Sequence, residues 1–373
     1  MFKNRFRVGK ILGIPIHIDA TWVLIFVWVT WSLSASYFPE RYPYWSPTLT
    51  WSLGVASSLL FFASVLLHEL GHALIARAQG VHVQDITLFI FGGMAEITDE
   101  PKKPAKEFTM ALAGPLVSLA LSGLFAALHL LTRHVNEPIA ALSLFLGSVN
   151  LSLGIFNLIP GFPLDGGRVL RAILWQARHD LTWATRWASR VGQAVAYVFI
   201  LLGIVHAFAG NWVNGLWLTL IGLFLDNAAR SSYYQLTLRQ LLRGHLVRDI
   251  MRRECALLPP QLTLDVLVDQ YILRGTQRCF AVGHQGKVEG LLTIHNIREV
   301  PKAEWPFIRV ADVLIPLEKL RFVEPDTPLW EALQQMTSEG VNQLPVISNG
   351  QLVGMISRED LITFIRNRAE LGV

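Results

Sequence analysis

The sequence predicts a mostly α-helical, polytopic membrane protein of about six transmembrane helices with a re-entrant β segment, followed by a soluble α/β unit present in two copies. Three observations carry this. The 373 residues are 52% hydrophobic and only 16% charged, too apolar for an ordinary soluble chain of that length. Nearly all the long apolar runs lie before about Asp226. Beyond that point the composition turns soluble and the chain repeats itself, Gly290-Leu-Leu-Thr293 recurring as Gly354-Met-Ile-Ser357 at a shift of 64.

Six apolar segments, at about 20–38, 52–78, 108–131, 139–159, 189–208 and 212–226, are long enough or nearly so to cross a bilayer. The last is short and must continue a little past Asp226. Tryptophans near segment ends (Trp22, Trp28, Trp31, Trp51, Trp212, Trp217) fit membrane interfaces. Basic residues divide unevenly between the two sides. One set of flanks carries Lys3, Arg5, Arg7, Lys10, Arg77, Lys102, Lys103, Lys106, Arg168, Arg171, Arg178, Arg186 and Arg230, and the opposite set only Arg41 and Arg133. Both termini and the soluble half are therefore expected in the cytoplasm, with the chain in the cell membrane. The first apolar run ends in Tyr37-Phe38-Pro39-Glu40 rather than small residues, so no cleavable signal is expected. A net charge of +4 asks for no nucleic-acid partner, and two spaced cysteines, Cys255 and Cys279, fit free thiols in a reducing compartment.

The second segment ends in His68-Glu69-Leu70-Gly71-His72, after an uncharged run from Trp51 to Leu67. On a helix the two histidines share a face and can share a metal, while Glu69 beside them can deprotonate a water. A solvated helix face is the usual origin of such a match, but ionisable residues inside apolar runs are rare and usually functional. Two histidines leave a catalytic zinc one protein ligand short. Asn157-Leu-Ile-Pro160-Gly-Phe-Pro163-Leu-Asp165-Gly-Gly-Arg168, at the end of the fourth segment, offers Asp165, the only acid between Glu137 and Asp180. Alone, Asp165 reads equally as a helix cap. Glycines follow it where a side chain would crowd a metal, and Arg168 is either an interfacial anchor or a partner of Asp165. Between the second and third spans, residues 83–93 are too short to cross and rich in strand formers, closing on Gly92-Gly93. They form either a surface hairpin or a re-entrant strand whose free edge, around Leu88–Phe91, pairs with an extended peptide. His17, His129, His134 and His206 lack metal spacing and read as packing residues, and the acidic stretch Glu96–Glu100 as a solvated loop.

HELGH in an apolar segment, a following Phe91-Gly92-Gly93, Ala113-Gly114-Pro115 and the LDGG run together resemble the site-2 protease family of intramembrane zinc metalloproteases, peptidase family M50. The resemblance implies one zinc ion per chain held by His68, His72 and Asp165, with Glu69 as general base. It implies a single-span membrane protein as substrate, unwound before hydrolysis, and a substrate-orienting role for Asn157. Phe91, Gly92 and Gly93 would approach the bound substrate.

The membrane part is expected over 1–228, a linker over 229–245 and the duplicated unit over 246–373, with repeats at about 246–302 and 309–368. Each repeat reads helix, strand, turn, strand, short helix. This resembles a pair of CBS modules, which implies an adenine nucleotide (ATP, ADP or AMP) in the cleft, contacted by Ser357 and Asp360. Thr293 matches Ser357 in the first repeat, but Asn296 stands where the acid would be. A structural role, or a homodimer formed through these modules, is the other reading. A CBS-regulated transporter or channel is the rival for the whole chain, but residues 1–226 show no internal repeat of interrupted spans.

Overall fold

The computed structural model describes residues 5–90, 92–97, 101, 103–253, 257–274, 279–284, 287–316, 320–348 and 351–371. Phe91, Asp99, Glu100, Lys102 and Cys255, and the side chains of Glu96, Cys279 and Thr293, lie outside the described residues. The chain separates into two compact units, residues 1–234 and 235–373.

In the first unit, strands β1 (Arg5–Ile11) and β2 (Ile14–Asp19) precede helix α1 (Ala20–Ser32), which runs through one wide turn into α2 (Phe38–Arg41). Asp19 caps α1, accepting the Thr21 amide at 3.0 Å and its hydroxyl at 2.6 Å, which holds the Asp19 carboxyl below the usual carboxylate range. Helix α3 (Pro47–Ala78) begins after Ser46, whose hydroxyl accepts from the Leu49 amide, with Pro47 pre-set for the first turn. Strands β3 (Val83–Phe89) and β4 (Gly92–Ile97) follow, then α4 (Pro104–Thr132), α5 (Glu137–Asn157), α6 (Asp165–Arg178), α7 (Leu181–Phe208) and α8 (Trp212–Leu242).

Among the described residues, five helical stretches are long and apolar enough to cross a membrane: 20–41, 47–78, 104–132, 137–157 and 181–208. Large apolar side chains such as Leu131 (76% exposed) and Phe208 (86%) stand on their outer faces, a surface that water would not tolerate over such an area. The chain is a multi-pass membrane protein. The sixth expected segment opens α8, whose helix continues past Asp226 as that span requires, though α8 is not among these five. Small residues let the helices approach closely. A Cβ on Gly71 would lie 3.1 Å from the Ala113 carbonyl of α4, and Ser122 of α4 donates to the Gly147 carbonyl of α5 at 2.8 Å.

The four strands form one sheet in the order β1-β2-β3-β4, with β2 and β3 parallel (Ile16 opposite Ile86) and the other pairs antiparallel. Ile14, Ile16, Val83 and Ile86 pack on Leu70, Ala73 and Ala76 of α3, so the sheet lies against the helical turns that carry the histidines. Of the two readings of residues 83–93, the hairpin is the one seen: β3 pairs antiparallel with β4. Gly92 and Gly93 open β4 rather than stopping β3, because β4 turns back along β3 from Phe89 opposite Gly92 to Val83 opposite Ile97. The expected free edge at Leu88–Phe91 is displaced: Leu88 pairs with Ile18 on one side and Gly93 on the other, and among the described residues the edge on this side of the sheet is β4.

The second unit holds α9 (Val247–Ile250), β5 (Leu257–Leu258), α10 (Leu264–Leu267), β6 (Cys279–His284), β7 (Lys287–Thr293), α11 (Ile294–Arg298), α12 (Val310–Val313), β8 (Ile315–Pro316), α13 (Leu329–Ser338), β9 (Gln343–Ser348), β10 (Gln351–Ser357) and α14 (Arg358–Leu371). The duplication extends to capping. Asp249 accepts the Leu246 amide at 2.8 Å and Asp312 the Arg309 amide at 3.0 Å, each closing a one-turn helix. The lead-in segments are exchanged. Val247 is buried in the core of the second repeat with Leu329 and Val346, and Val310 in that of the first with Leu264 and Phe280. Neither repeat completes its core alone.

Candidate metal centre and catalytic cavity

His68 and His72 lie one turn apart in α3, 4% and 5% exposed. Asp165 is the first residue of α6, reached through the Pro160–Leu164 loop after α5. The Nε2 atoms of the two histidines are 3.3 Å apart, and Asp165 Oδ2 lies 3.1 Å from each. A four-coordinate zinc with bonds of about 2.0–2.1 Å holds its ligand atoms about 3.3–3.4 Å apart, so the triangle has the size such an ion needs.

The protons point to the same chemistry. His72 Nδ1 is 2.7 Å from the Met110 carbonyl, which can only accept, so His72 carries a proton there and Nε2 is the atom it turns to the centre. His68 Nδ1 is held 2.9 Å from the hydroxyl of Ser118, a fully buried residue. Two ring nitrogens and a carboxylate oxygen converging within 3.3 Å repel unless a proton or a metal ion lies among them, and the three are the donor set of a zinc site. Both second partners belong to α4, and sequence reasoning missed them, since neither a backbone carbonyl nor a lone serine leaves a pattern. It also gave Gly114 no role beyond its place in Ala113-Gly114-Pro115. A Cβ there would lie 2.1 Å from His72 Nε2 and 2.6 Å from His68 Nε2, so only glycine lets α4 pass the rings. Gly166 and Gly167 have a different purpose from the one expected. Cβ atoms on them would strike the backbone of Leu158–Phe162 at 2.3 Å, so they clear the incoming loop rather than a metal.

Glu107 of α4, fully buried, pairs with Arg171 of α6, 7% exposed, whose Nε donates to Glu107 Oε1 at 2.6 Å. Arg171 also stands over the Phe162 ring at 5.1 Å. This buried pair fastens the helix bearing Asp165 to the helix that backs both histidines, and nothing in the local sequence announces it.

A cavity of about 540 Å³ opens at the centre, lined by His68, Glu69, His72, Asp165, Asn157 and Arg168 among others. Glu69 reaches it half-buried beside Gly93, where a Cβ would lie 2.4 Å from Glu69 Cγ. Thus β4, an edge strand of the sheet, runs directly past Glu69, and Gly92, Gly93 and Met94 form part of the wall. Asn157 donates to the Leu153 carbonyl at 3.1 Å and lines the same cavity. Arg168 has no ion pair with Asp165 among the described residues; it faces the cavity. His17 stands near Asp85, while His129 and His206 bond backbone carbonyls, as packing residues do.

In the second unit, Asp360 accepts from the Ser357 hydroxyl at 2.5 Å and amide at 3.0 Å, and Ser357 Oγ accepts the Asp360 amide. The two residues cap α14 reciprocally, and Arg252 Nε donates to the other Asp360 oxygen at 2.7 Å.

A membrane-embedded helical unit with a His-His-Asp triangle and a glutamate at a shared cavity defines a metallopeptidase class, and comparison with known proteins agrees. The profile of Peptidase family M50 matches residues 56–136 and 132–205, and that of the CBS domain residues 310–367. Rip3 of Mycobacterium tuberculosis is 35% identical over 368 residues, covering 97% of this chain and 93% of that protein. The zinc metalloprotease MJ0392 of Methanocaldococcus jannaschii is 30% identical over 356 residues, covering 95% and 94%. The solved site-2 protease from Methanocaldococcus jannaschii, 30% identical, covers 61% of this chain and 95% of its own at a TM-score of 0.42. The chain belongs to peptidase family M50: it is a site-2 protease-like zinc metalloprotease carrying CBS domains.

Proposed function

We propose that the protein hydrolyses peptide bonds within or beside transmembrane segments of single-span membrane proteins, with zinc held by His68, His72 and Asp165. The observation that carries this reading is the triangle of three donor atoms 3.1–3.3 Å apart inside a membrane-spanning bundle. Zinc bound there supplies Lewis-acid polarisation of the scissile carbonyl and acidifies a water. Glu69 takes the proton of the attacking water and returns it to the leaving amine nitrogen. A helical substrate hides its carbonyls, so it must unwind, and the edge strand β4 offers the unwound strand backbone partners beside Glu69. Asn157, which lines the same cavity, orients that strand. Its amide can donate to a substrate carbonyl as the Leu153 bond is released.

The basic flanks support cytoplasmic termini in the cell membrane, with the site toward that face. The exchanged repeats support an adenine-nucleotide sensor at Ser357 and Asp360, in which nucleotide favours one arrangement of the module and so alters cleavage rate. The same modules would join two chains as a homodimer. The test of the central reading is the Glu69→Gln variant beside Asp165→Asn, each purified and given a model single-span substrate. Glu69→Gln should keep zinc and lose hydrolysis by at least about 100-fold, whereas Asp165→Asn should lose zinc. Full zinc and full activity in Asp165→Asn would remove the ligand assignment.

A further inference from the structure

We propose that a second cavity, between α7 and α8, binds the phosphate headgroup of an anionic phospholipid. The two helices touch closely over one stretch, where a Cβ on Gly203 would lie 2.3 Å from Thr219 Oγ1 and one on Gly222 2.6 Å from Ile200 Cγ1. Toward the start of α7 they enclose about 640 Å³, within the size range of small-ligand sites (about 300–1,000 Å³). Arg186, Arg190, Arg230, Ser189 and Gln193 line this space together with Tyr233.

Every ionisable side chain in that lining is basic except the tyrosines. Arg230 is paired with Asp226 at 2.9 Å and donates to Tyr197 at 3.0 Å. Arg186 donates to the Tyr233 hydroxyl at 3.1 Å, and Arg190 stands over the Trp187 ring at 5.5 Å. Among the described residues, neither Arg186 nor Arg190 has a carboxylate partner. A second observation points to a ligand: Ser189 is 3% exposed, and among the described residues its hydroxyl has no hydrogen-bond partner. A buried, unpartnered hydroxyl lining the same cavity as two guanidinium groups matches the donor set for phosphate oxygens. Lipid is favoured as the phosphate's source by Trp183 and Trp187 on the same turns of α7, since tryptophans mark the headgroup level and basic pockets between spanning helices suit anionic lipids.

The cavity adjoins the catalytic loop without sharing its residues. Phe162 donates its amide to the Ala188 carbonyl at 3.2 Å, one residue from Ser189. The experiment is native mass spectrometry of the full-length protein from mixed phosphatidylglycerol–phosphatidylcholine nanodiscs, scoring retained lipid. Wild type should retain phosphatidylglycerol preferentially. Arg186→Gln and Arg190→Gln should each weaken retention about fivefold, the worth of one basic side chain at an anionic surface. Ser189→Val, which changes no charge, should weaken it as well and keeps the test alive if an arginine variant misfolds. Arg178→Gln removes the same charge from the same side but outside the cavity, and should leave retention within about twofold. An equal loss in Arg178→Gln, no preference over phosphatidylcholine, or displacement by inorganic phosphate at equal concentration would each overturn the lipid site.

Discussion

Gly114→Ala tests the metal centre most directly, because it adds one methyl group and removes no ligand. The new carbon would lie 2.1 Å from His72 Nε2, whereas ordinary contact begins near 3.4 Å, so ring or helix must move by about 3.4 − 2.1 = 1.3 Å. His68 Nε2, at 2.6 Å, is crowded from the same side. Metal sites tolerate about 0.2 Å of ligand displacement, and a misplacement near 1 Å commonly costs about 100-fold in rate. Bound zinc, measured by plasma mass spectrometry, should therefore fall well below one per chain, and cleavage by about 100-fold or more. Gly123→Ala, on the same helix with nothing within 4 Å of the added carbon, should change neither. Stoichiometric zinc and wild-type cleavage in Gly114→Ala would refute the packing of α4 against the histidines.

Glu107→Ala leaves Arg171 buried without its acid and should cost about 3–5 kcal/mol in detergent unfolding, while Glu107→Leu with Arg171→Met should cost much less; equal stability of wild type and Glu107→Ala would contradict the clamp. Cysteines placed near Arg41 and Arg133 should react with impermeant reagent outside intact cells, and those near Lys103 or Arg178 should not; external labelling at Lys103 would reverse the orientation. Calorimetry of the full-length protein should show an adenine nucleotide bound, with Asp360→Ala weakening it and Arg252→Ala, which frees one Asp360 oxygen while leaving the cap, tightening it. No binding at millimolar nucleotide would leave the modules a structural or dimerising role.

The spans and the triangle could be read in the sequence because both depend on local signals: long uncharged runs, two histidines at helical spacing, and one acid isolated at a broken helix end. The sheet could not. Ile16 meets Ile86 in a parallel pairing whose intervening chain includes two spanning helices, and no periodicity links such distant strands. The edge was misplaced for the same reason, since the partner that covers β3 comes from the N-terminal hairpin. Gly114, Ser118 and the Glu107–Arg171 pair escaped because their meaning is a distance between helices. The duplicated unit was legible through its 64-residue repeat, but the exchange of lead-in segments was not.

The triangle draws His72 and Asp165 from positions 93 residues apart, on either side of α4 and α5. During synthesis the histidines enter the membrane long before the aspartate is made, and α4 must return past them before their ring protons are fixed. Until α6 has been made and clamped by Arg171, the growing chain holds a lone pair of histidines and no complete centre. The order of the helices thus makes Asp165 the last of the three donors to be synthesised, so the triangle can close only after α4 and α5 are in place.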